Sequence, residues 1–238
     1  AYFFRGDRYW RYDLKRARVD GGYPKATRPL WPDLGFSQAE RAIRAFEAQT
    51  GAGRWPRLSR TVLARELRET VREPWRINQA QTPMCGPAAI LYALAKLKPV
   101  EYVRLVADLY DRGRHRMKTK TMEPSSDVMG SAASSGTRQI DWMTMAGMRD
   151  AANMIFTLDG NEGFSQNIEQ GIAFPHEIEA WCKELLRLRN VKVETTFFWG
   201  DDEVLRQGAA AHDRGGVSIL LVDWKLCDAE AAWIAVPN

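Results

Sequence analysis

Residues 85–97 restrict the fold of this chain most, because they are apolar around almost the whole circumference of a helix. A helix of this kind is usually buried at the centre of a domain. Its first residue is Cys85, and the amide-bearing residue Gln79 lies six positions upstream. The sequence therefore predicts a central helix with a cysteine at its N-terminus. Its apolar members are Ala88, Ala89, Leu91, Tyr92, Leu94, Ala95 and Leu97.

A cysteine at a helix start and an amide side chain upstream are two things that a cysteine nucleophile needs, and Cys85 and Gln79 supply them. A helix N-terminus supplies positive potential and free N–H groups, which favour the thiolate over the thiol. The Gln79 amide can donate a hydrogen bond to the oxyanion that forms on an attacked carbonyl. The run Asn78-Gln79 followed by Cys85-Gly86-Pro87-Ala88-Ala89 resembles the papain-like cysteine peptidases, especially bacterial members that process double-glycine leader peptides. The alternative is that Cys85 is a small buried core residue, as many cysteines are.

The papain-like resemblance implies an α+β fold over residues 75–238, with a helical half followed by an antiparallel sheet. Periodicity and capping residues predict helices over residues 37–50 (capped by Ser37 with Glu40), 59–72 (capped by Ser59), 85–97, 100–110, from Asp141 through Ala152, from Pro175 through Leu186, and from Asp201 through Leu205. Residues 111–138 are polar and are predicted to be a loop. Strands are predicted over residues 191–195 and 217–224 and from Trp233 to the end of the chain.

Residues 1–34 are predicted to form short strands joined by tight turns at Gly6-Asp7 and Gly21-Gly22. The aromatic-rich run from Tyr2 to Asp13, followed by Gly22-Tyr23-Pro24-Lys25 and Trp31-Pro32-Asp33-Leu34, resembles one hemopexin repeat, which is a β-propeller blade. A single blade leaves its edges unpaired. The resemblance therefore implies further blades upstream, or a blade docked on the domain that follows. The acidic residue that lines the channel of hemopexin propellers has no counterpart, so we expect no metal site and no cofactor. Residues 35–74 are predicted to be a helical linker.

Composition limits the partners of the chain. The net charge of +4 is uneven, because residues 1–76 carry 17 Lys and Arg against 9 Asp and Glu. A solvated arginine-rich helical face explains this excess, and no nucleic-acid-binding module accompanies it. No apolar run approaches the roughly 18 residues of a membrane span, and the first residues do not resemble a signal peptide. The three cysteines, Cys85, Cys182 and Cys227, leave at least one free thiol.

A cysteine hydrolase pairs its thiol with a histidine base, and three histidines are available. His115 lies in a basic stretch with no evident orienting carboxylate, and His176 lies at a predicted helix start. His212 is the best internal candidate. In the resembling peptidases, however, the histidine begins the strand that follows a glycine-led apolar strand. Val236-Pro237-Asn238 resembles the lead-in to that histidine strand, so we expect the catalytic histidine just after Asn238 and the chain to be incomplete there.

These features predict a bacterial toxin effector, secreted or injected, that acts in a target cell. A hemopexin-like module would bind other blades or a delivery-system protein, and the peptidase domain would cleave an amide bond of a host protein through Cys85. The oxyanion would be held by Gln79 and the Cys85 N–H. Two alternatives stay open: a deamidase or transamidase of protein glutamine, and an inactive peptidase fold used as a binding scaffold.

Overall fold

The computed structural model describes residues 1–5, 8–26, 32–80, 82, 84–133, 136–155, 175–194 and 201–220. The chain divides into two compact units, Ala1–Val193 and Glu194–Asn238. Within the described ranges the architecture is α+β, with small antiparallel sheets and a larger number of helices. No helix in those ranges is both long enough and apolar enough to cross a lipid bilayer.

The N-terminal segment forms a four-stranded antiparallel sheet, which confirms the predicted short strands. Its strands are β1 (Tyr2–Arg5), β2 (Arg8–Asp13), β3 (Arg18–Val19) and β4 (Lys25–Ala26). β2 lies in the middle, because it pairs with β1 on one side and with β3 and β4 on the other. Tyr9 of β2 is 2% exposed, and its ring lies 5.3 Å from that of Tyr23, edge to face. The turn predicted at Gly6-Asp7 lies outside the described residues.

Helix α1 (Pro32–Glu47) begins earlier than predicted. Proline suits the first turn of a helix because its missing N–H has no partner there. The helix therefore starts at Pro32, and Ser37 lies within it rather than at its cap. Glu40 consequently closes no capping box. Its carboxylate instead accepts hydrogen bonds from Arg44 at 3.3 Å and from Arg68 at 3.2 Å.

Helix α2 (Arg60–Arg72) confirms the predicted bounds with Ser59 at its N-cap. The Ser59 side chain makes no capping hydrogen bond. Its backbone N–H instead donates to the Gln139 side chain at 2.8 Å. A 3-10 turn (Pro74–Arg76) follows α2.

Helix α3 (Cys85–Leu97) has the bounds predicted from its apolar periodicity. It contacts α2, the 3-10 turn, α4 (Pro99–Arg112), α6 (Gln139–Ile155) and α7 (Pro175–Glu184). Ile90, Leu91 and Leu94 have no exposed surface. The prediction that this helix is central and buried is therefore confirmed, although Tyr92 and Leu97 reach the surface.

The prediction of a loop over residues 111–138 is wrong in part. The chain forms a hairpin of β5 (His115–Arg116) and β6 (Thr121–Met122), then helix α5 (Ser126–Met129). Met117 and Met122 of this region are buried. A strand of two residues is too short to show apolar alternation, so these strands are not recognisable from the sequence.

Helices α6 and α7 confirm the predicted helices in this region. Met143, Met145 and Met148 of α6 have no exposed surface, which supports the expectation that they fill the core. α7 begins at Pro175 as predicted and ends at Glu184, two residues before the predicted end.

The strands predicted near the C-terminus do not form in the described residues. Residues 191–194 and 217–220 adopt neither helix nor strand, and their side chains Val193 and Leu220 are exposed. Alternation favours a strand only when a partner strand buries one face, and these segments have none in the described part of the chain. The rest of the predicted sheet, from residue 221 onward, lies outside the described residues. Helix α8 (Asp201–Asp213) is longer than predicted, because Ala209, Ala210 and Ala211 favour its continuation.

Candidate active site around Cys85

The N-terminus of α3 presents Cys85 to solvent while the residues behind it are buried. Cys85 is exposed and carries a free thiol, whereas Gly86 and Pro87 are buried. Met84 occupies the N-cap position and offers no side-chain hydrogen bond. Among the described residues, therefore, the N-cap side chain leaves the Cys85 N–H at the start of the helix able to bind a negatively charged group.

A strained turn precedes this helix. The Asn78 side chain accepts a hydrogen bond from the Ala80 N–H at 2.8 Å, and the Thr82 hydroxyl donates to the Gln79 carbonyl at 2.6 Å. Ala80 has φ 53°, in the left-handed region that costs a residue with a Cβ about 1–2 kcal/mol. Strain of this kind persists where surrounding contacts over-determine the backbone, and it concentrates at functional sites.

The side chain of Gln79 lies partly inside the protein. Its Oε1 is buried, and no described residue donates a hydrogen bond to it. A buried amide oxygen without a donor costs about 1–3 kcal/mol. The unpaired atom is the acceptor Oε1, whereas the predicted oxyanion role belongs to the Nε2 N–H groups of the same side chain. Gln81, the other amide of this segment, lies outside the described residues.

A buried carboxylate anchors the start of the turn. Asp141 Oδ2 accepts a hydrogen bond from the Asn78 N–H at 3.3 Å, and Asp141 has no exposed surface. The prediction that Asp141 caps its helix is wrong, because α6 begins two residues earlier and the carboxylate faces the Asn78 backbone instead. This contact is not recognisable from local sequence patterns, since 63 residues separate the two partners.

The charge of Asp141 is costly to bury. Burial raises the pKa of Asp141 to about 6, although nearby Arg138 and the Asn78 N–H act in the opposite direction. A folded-state pKa above the unfolded value means that this group lowers stability as pH rises from about 4 to about 6. At neutral pH the ionised carboxylate costs about 3 kcal/mol relative to an exposed one.

The three histidines lie in different settings. His115 is buried, and its Nδ1 lies 2.9 Å from Asp108 Oδ2. The expectation that His115 lacks an orienting carboxylate is therefore wrong, because the chain reverses after α4 and returns β5 to that helix. His176 is the second residue of α7 and is exposed. His212 lies in the last turn of α8, in the second unit, and is exposed.

Cys85 and Cys182 differ in burial, and this difference yields a first prediction. Cys182 is buried, and burial followed by the negative charge of Glu179 raises its pKa to about 11. Near neutral pH such a thiol has a thiolate fraction on the order of 100-fold below that of a thiol at the ordinary pKa. We expect iodoacetamide to label Cys85 at least about 100-fold faster than Cys182, as measured by mass spectrometry of peptides over time.

The same labelling experiment includes its own controls. Cys227 lies outside the described residues and is followed in parallel, and unfolding in urea should equalise the three rates. Faster labelling of Cys182 or Cys227 in the folded protein would contradict the nucleophile assignment.

Comparison with known proteins identifies one region of the chain. The Hemopexin family model matches residues 1–35, which include the four-stranded sheet and the start of α1. The match covers a small part of the 238 residues and describes that part alone. Comparisons with curated proteins and with solved structures found no significant match. In the described ranges, no group of three or more His, Cys, Asp and Glu side chains is arranged to hold a metal ion.

Proposed function

We propose that this chain is a cysteine hydrolase of the papain-like type that acts on amide bonds of a protein. The observation that carries the proposal is the exposed Cys85 at the uncapped N-terminus of a buried central helix, directly after a strained turn that holds Gln79. The alternative of Cys85 as a core residue is therefore not favoured, because its side chain faces solvent.

The proposed reaction is acyl transfer in two steps. The Cys85 thiolate adds to the amide carbonyl carbon, and the Gln79 amide and the Cys85 N–H stabilise the oxyanion. Collapse of this intermediate breaks the C–N bond, and the leaving amine takes a proton from the general acid. Water then attacks the thioester with the help of the same group acting as a base. This releases the carboxylic acid and restores the thiol.

The proposal includes a general base encoded just after Asn238, where the sequence resembles the lead-in to a histidine strand. We expect the chain ending at Asn238 to be inactive and the chain extended by the residues that follow in its gene to be active. His212→Ala should leave the extended chain fully active. Fluorogenic peptide libraries measure cleavage, and ammonia release from glutamine-containing proteins measures deamidation.

Each outcome of this comparison has a defined meaning. Cleavage without ammonia release supports a peptidase, and ammonia release without cleavage supports the deamidase alternative. Loss of activity in His212→Ala, with the circular dichroism spectrum unchanged, would make His212 the base. An extended chain with neither activity would support the scaffold alternative.

The N-terminal sheet is proposed to be a hemopexin-like blade that serves as a binding module. Its match to the Hemopexin family supports this role. Phe3 and Val19 are exposed, and the Phe3 ring lies edge to face against Tyr12 at 5.9 Å. This face suits packing on further blades or on a delivery-system protein. In this proposal the whole protein is a secreted or injected bacterial toxin effector, and its substrate is a protein of the target cell.

A further inference from the structure

The segment before Cys85 is fixed to the protein through the first turn of α6. Asp141 accepts the Asn78 N–H at 3.3 Å, and Asn78 in turn accepts the Ala80 N–H at 2.8 Å. These two bonds lie in series and set the backbone on both sides of Gln79. Any movement of the Asp141 carboxylate therefore moves the backbone that carries the Gln79 amide.

Arg138 holds Asp141 in a rigid polar cluster. Its Nη1 lies 3.8 Å from Asp141 Oδ2 and donates to the Arg76 carbonyl at 3.1 Å. Its Nη2 donates to the Glu66 carbonyl and to the Thr70 hydroxyl, both at 2.8 Å. The guanidinium is thus fixed to α2 and to the 3-10 turn, and it also lies beside the first turn of α6, which Arg138 directly precedes. This leaves the carboxylate little freedom to shift.

The one hydrogen bond that the Asp141 side chain accepts does not require a charged group. Oδ1 is buried and has no hydrogen-bond partner among the described residues. An asparagine would accept the Asn78 N–H without burying a charge. A charged acceptor attracts a backbone N–H more strongly than a neutral amide does, and this attraction also acts at the 3.3 Å that separates the Asn78 nitrogen from Asp141 Oδ2. The fold therefore accommodates a costly charge at the point that holds the candidate oxyanion donor.

We propose that Asp141 is a positioning residue for the oxyanion site: its buried carboxylate holds the Asn78 N–H and thereby fixes Gln79 relative to Cys85. This inference rests on the proposed function. Protonation of Asp141 turns the charge-assisted bond into a neutral one and loosens the turn, so activity falls on the acid side. The charged or titratable groups that act on the carboxylate are Arg138, which directly precedes α6, and Glu66 from α2, and Tyr102 of α4 is its other titratable neighbour.

The test uses Asp141→Asn in the extended, active protein. The hydrogen-bonded shape is kept and the charge is removed, so we expect kcat to fall about tenfold at pH 8, the difference between a charge-assisted and a neutral bond. KM should change little. The wild-type fall in kcat/KM between about pH 7 and pH 5 should become shallower in the variant. The rate at which iodoacetamide labels Cys85 should stay at the wild-type value, because the thiol itself is untouched.

Glu66→Gln is the matched control. Glu66 is also a buried carboxylate that accepts a backbone N–H, but its partner is Ile140 at 2.8 Å rather than the turn. The control should retain wild-type kcat at pH 8 and the steepness of the acid-side fall, and that fall should move to lower pH because Glu66 helps to raise the pKa of Asp141. Equal losses in both variants would show a general effect of buried charge and would overturn the proposal. Wild-type kcat and an unchanged pH profile in Asp141→Asn would also overturn it.

A second measurement separates this inference from the proposed function. Hydrogen exchange of the Asn78 and Ala80 amides reports the turn without any catalysis. We expect exchange about tenfold faster in Asp141→Asn than in wild type at pH 8, with no change in Glu66→Gln. If the protein is inactive but this difference is present, the proposed function fails and the anchoring of the turn stands. Equal exchange in all three proteins would refute the anchor itself.

Discussion

Replacing Cys85 with alanine in the extended protein should lower kcat by roughly 10⁴–10⁶-fold, the range seen when a hydrolase loses its nucleophile. The reason is that no acyl-enzyme can form without the sulfur, and only background catalysis remains. Hydrolysis of the best peptide or protein substrate measures the change. The variant should still fold, because the Cys85 side chain is exposed and contributes little to the core.

Cys182→Ala is the matched control for this prediction. Cys182 is a buried thiol in α7, so its removal affects packing without affecting a nucleophile. We expect kcat to stay within about twofold of wild type, with a modest loss of stability. Turnover that survives in Cys85→Ala would exclude the proposed reaction, and a large loss in Cys182→Ala would assign the chemistry to another thiol.

Replacing Gln79 with alanine should lower kcat by about 10–1,000-fold with little change in KM, the cost of losing one oxyanion donor. The Gln79 amide acts on charge that develops in the transition state, so substrate binding is largely spared. Steady-state kinetics across substrate concentrations separate the two parameters. A circular dichroism spectrum equal to that of wild type checks that the variant is folded, which we expect because alanine removes a buried oxygen to which no described residue donates a hydrogen bond.

Two further substitutions sharpen the Gln79 test. Gln79→Glu keeps the size of the side chain and places a carboxylate near the oxyanion, so we expect a larger loss than with alanine. Gln81→Ala is the matched amide deletion two residues away and should have little effect. Normal turnover in Gln79→Ala, with a loss in Gln81→Ala, would transfer the oxyanion role to Gln81.

The helices of this chain are predictable because their apolar residues recur at helical spacing. The bounds of α3 follow from this pattern and from Pro99, which begins the next helix. The start of α1 is not predicted, since Ser37 offers a good cap while Pro32 starts the helix earlier. The strands predicted near the C-terminus are absent at residues 191–194, where the sequence alternates, and at residues 217–220, where it is mostly apolar, because neither segment has a partner strand among the described residues. Local pattern cannot supply that partner.

At the candidate site, too, features within one short segment are predictable from the sequence, whereas contacts between distant segments are not. Cys85 and Gln79 are recognisable because their spacing lies within one short segment. The Asp141 anchor is not recognisable, because only the packing of α6 brings it to Asn78. The pairing of His115 with Asp108 is hidden for a similar reason: Gly113 adopts φ 68° and reverses the chain after α4. Chain reversals of this kind determine which charged or titratable side chains come into contact.

The central position of β2 determines where the N-terminal sheet can accept a further strand. Both sides of β2 are already paired, so a strand from another protein can add only at the outer edges. Among the described strands, β1 offers an edge of four residues, whereas β3 and β4 offer two each. Backbone pairing with a partner would therefore extend the sheet on the β1 side. An assembly built by such pairing would grow in one direction, because only this edge would accept the added strand.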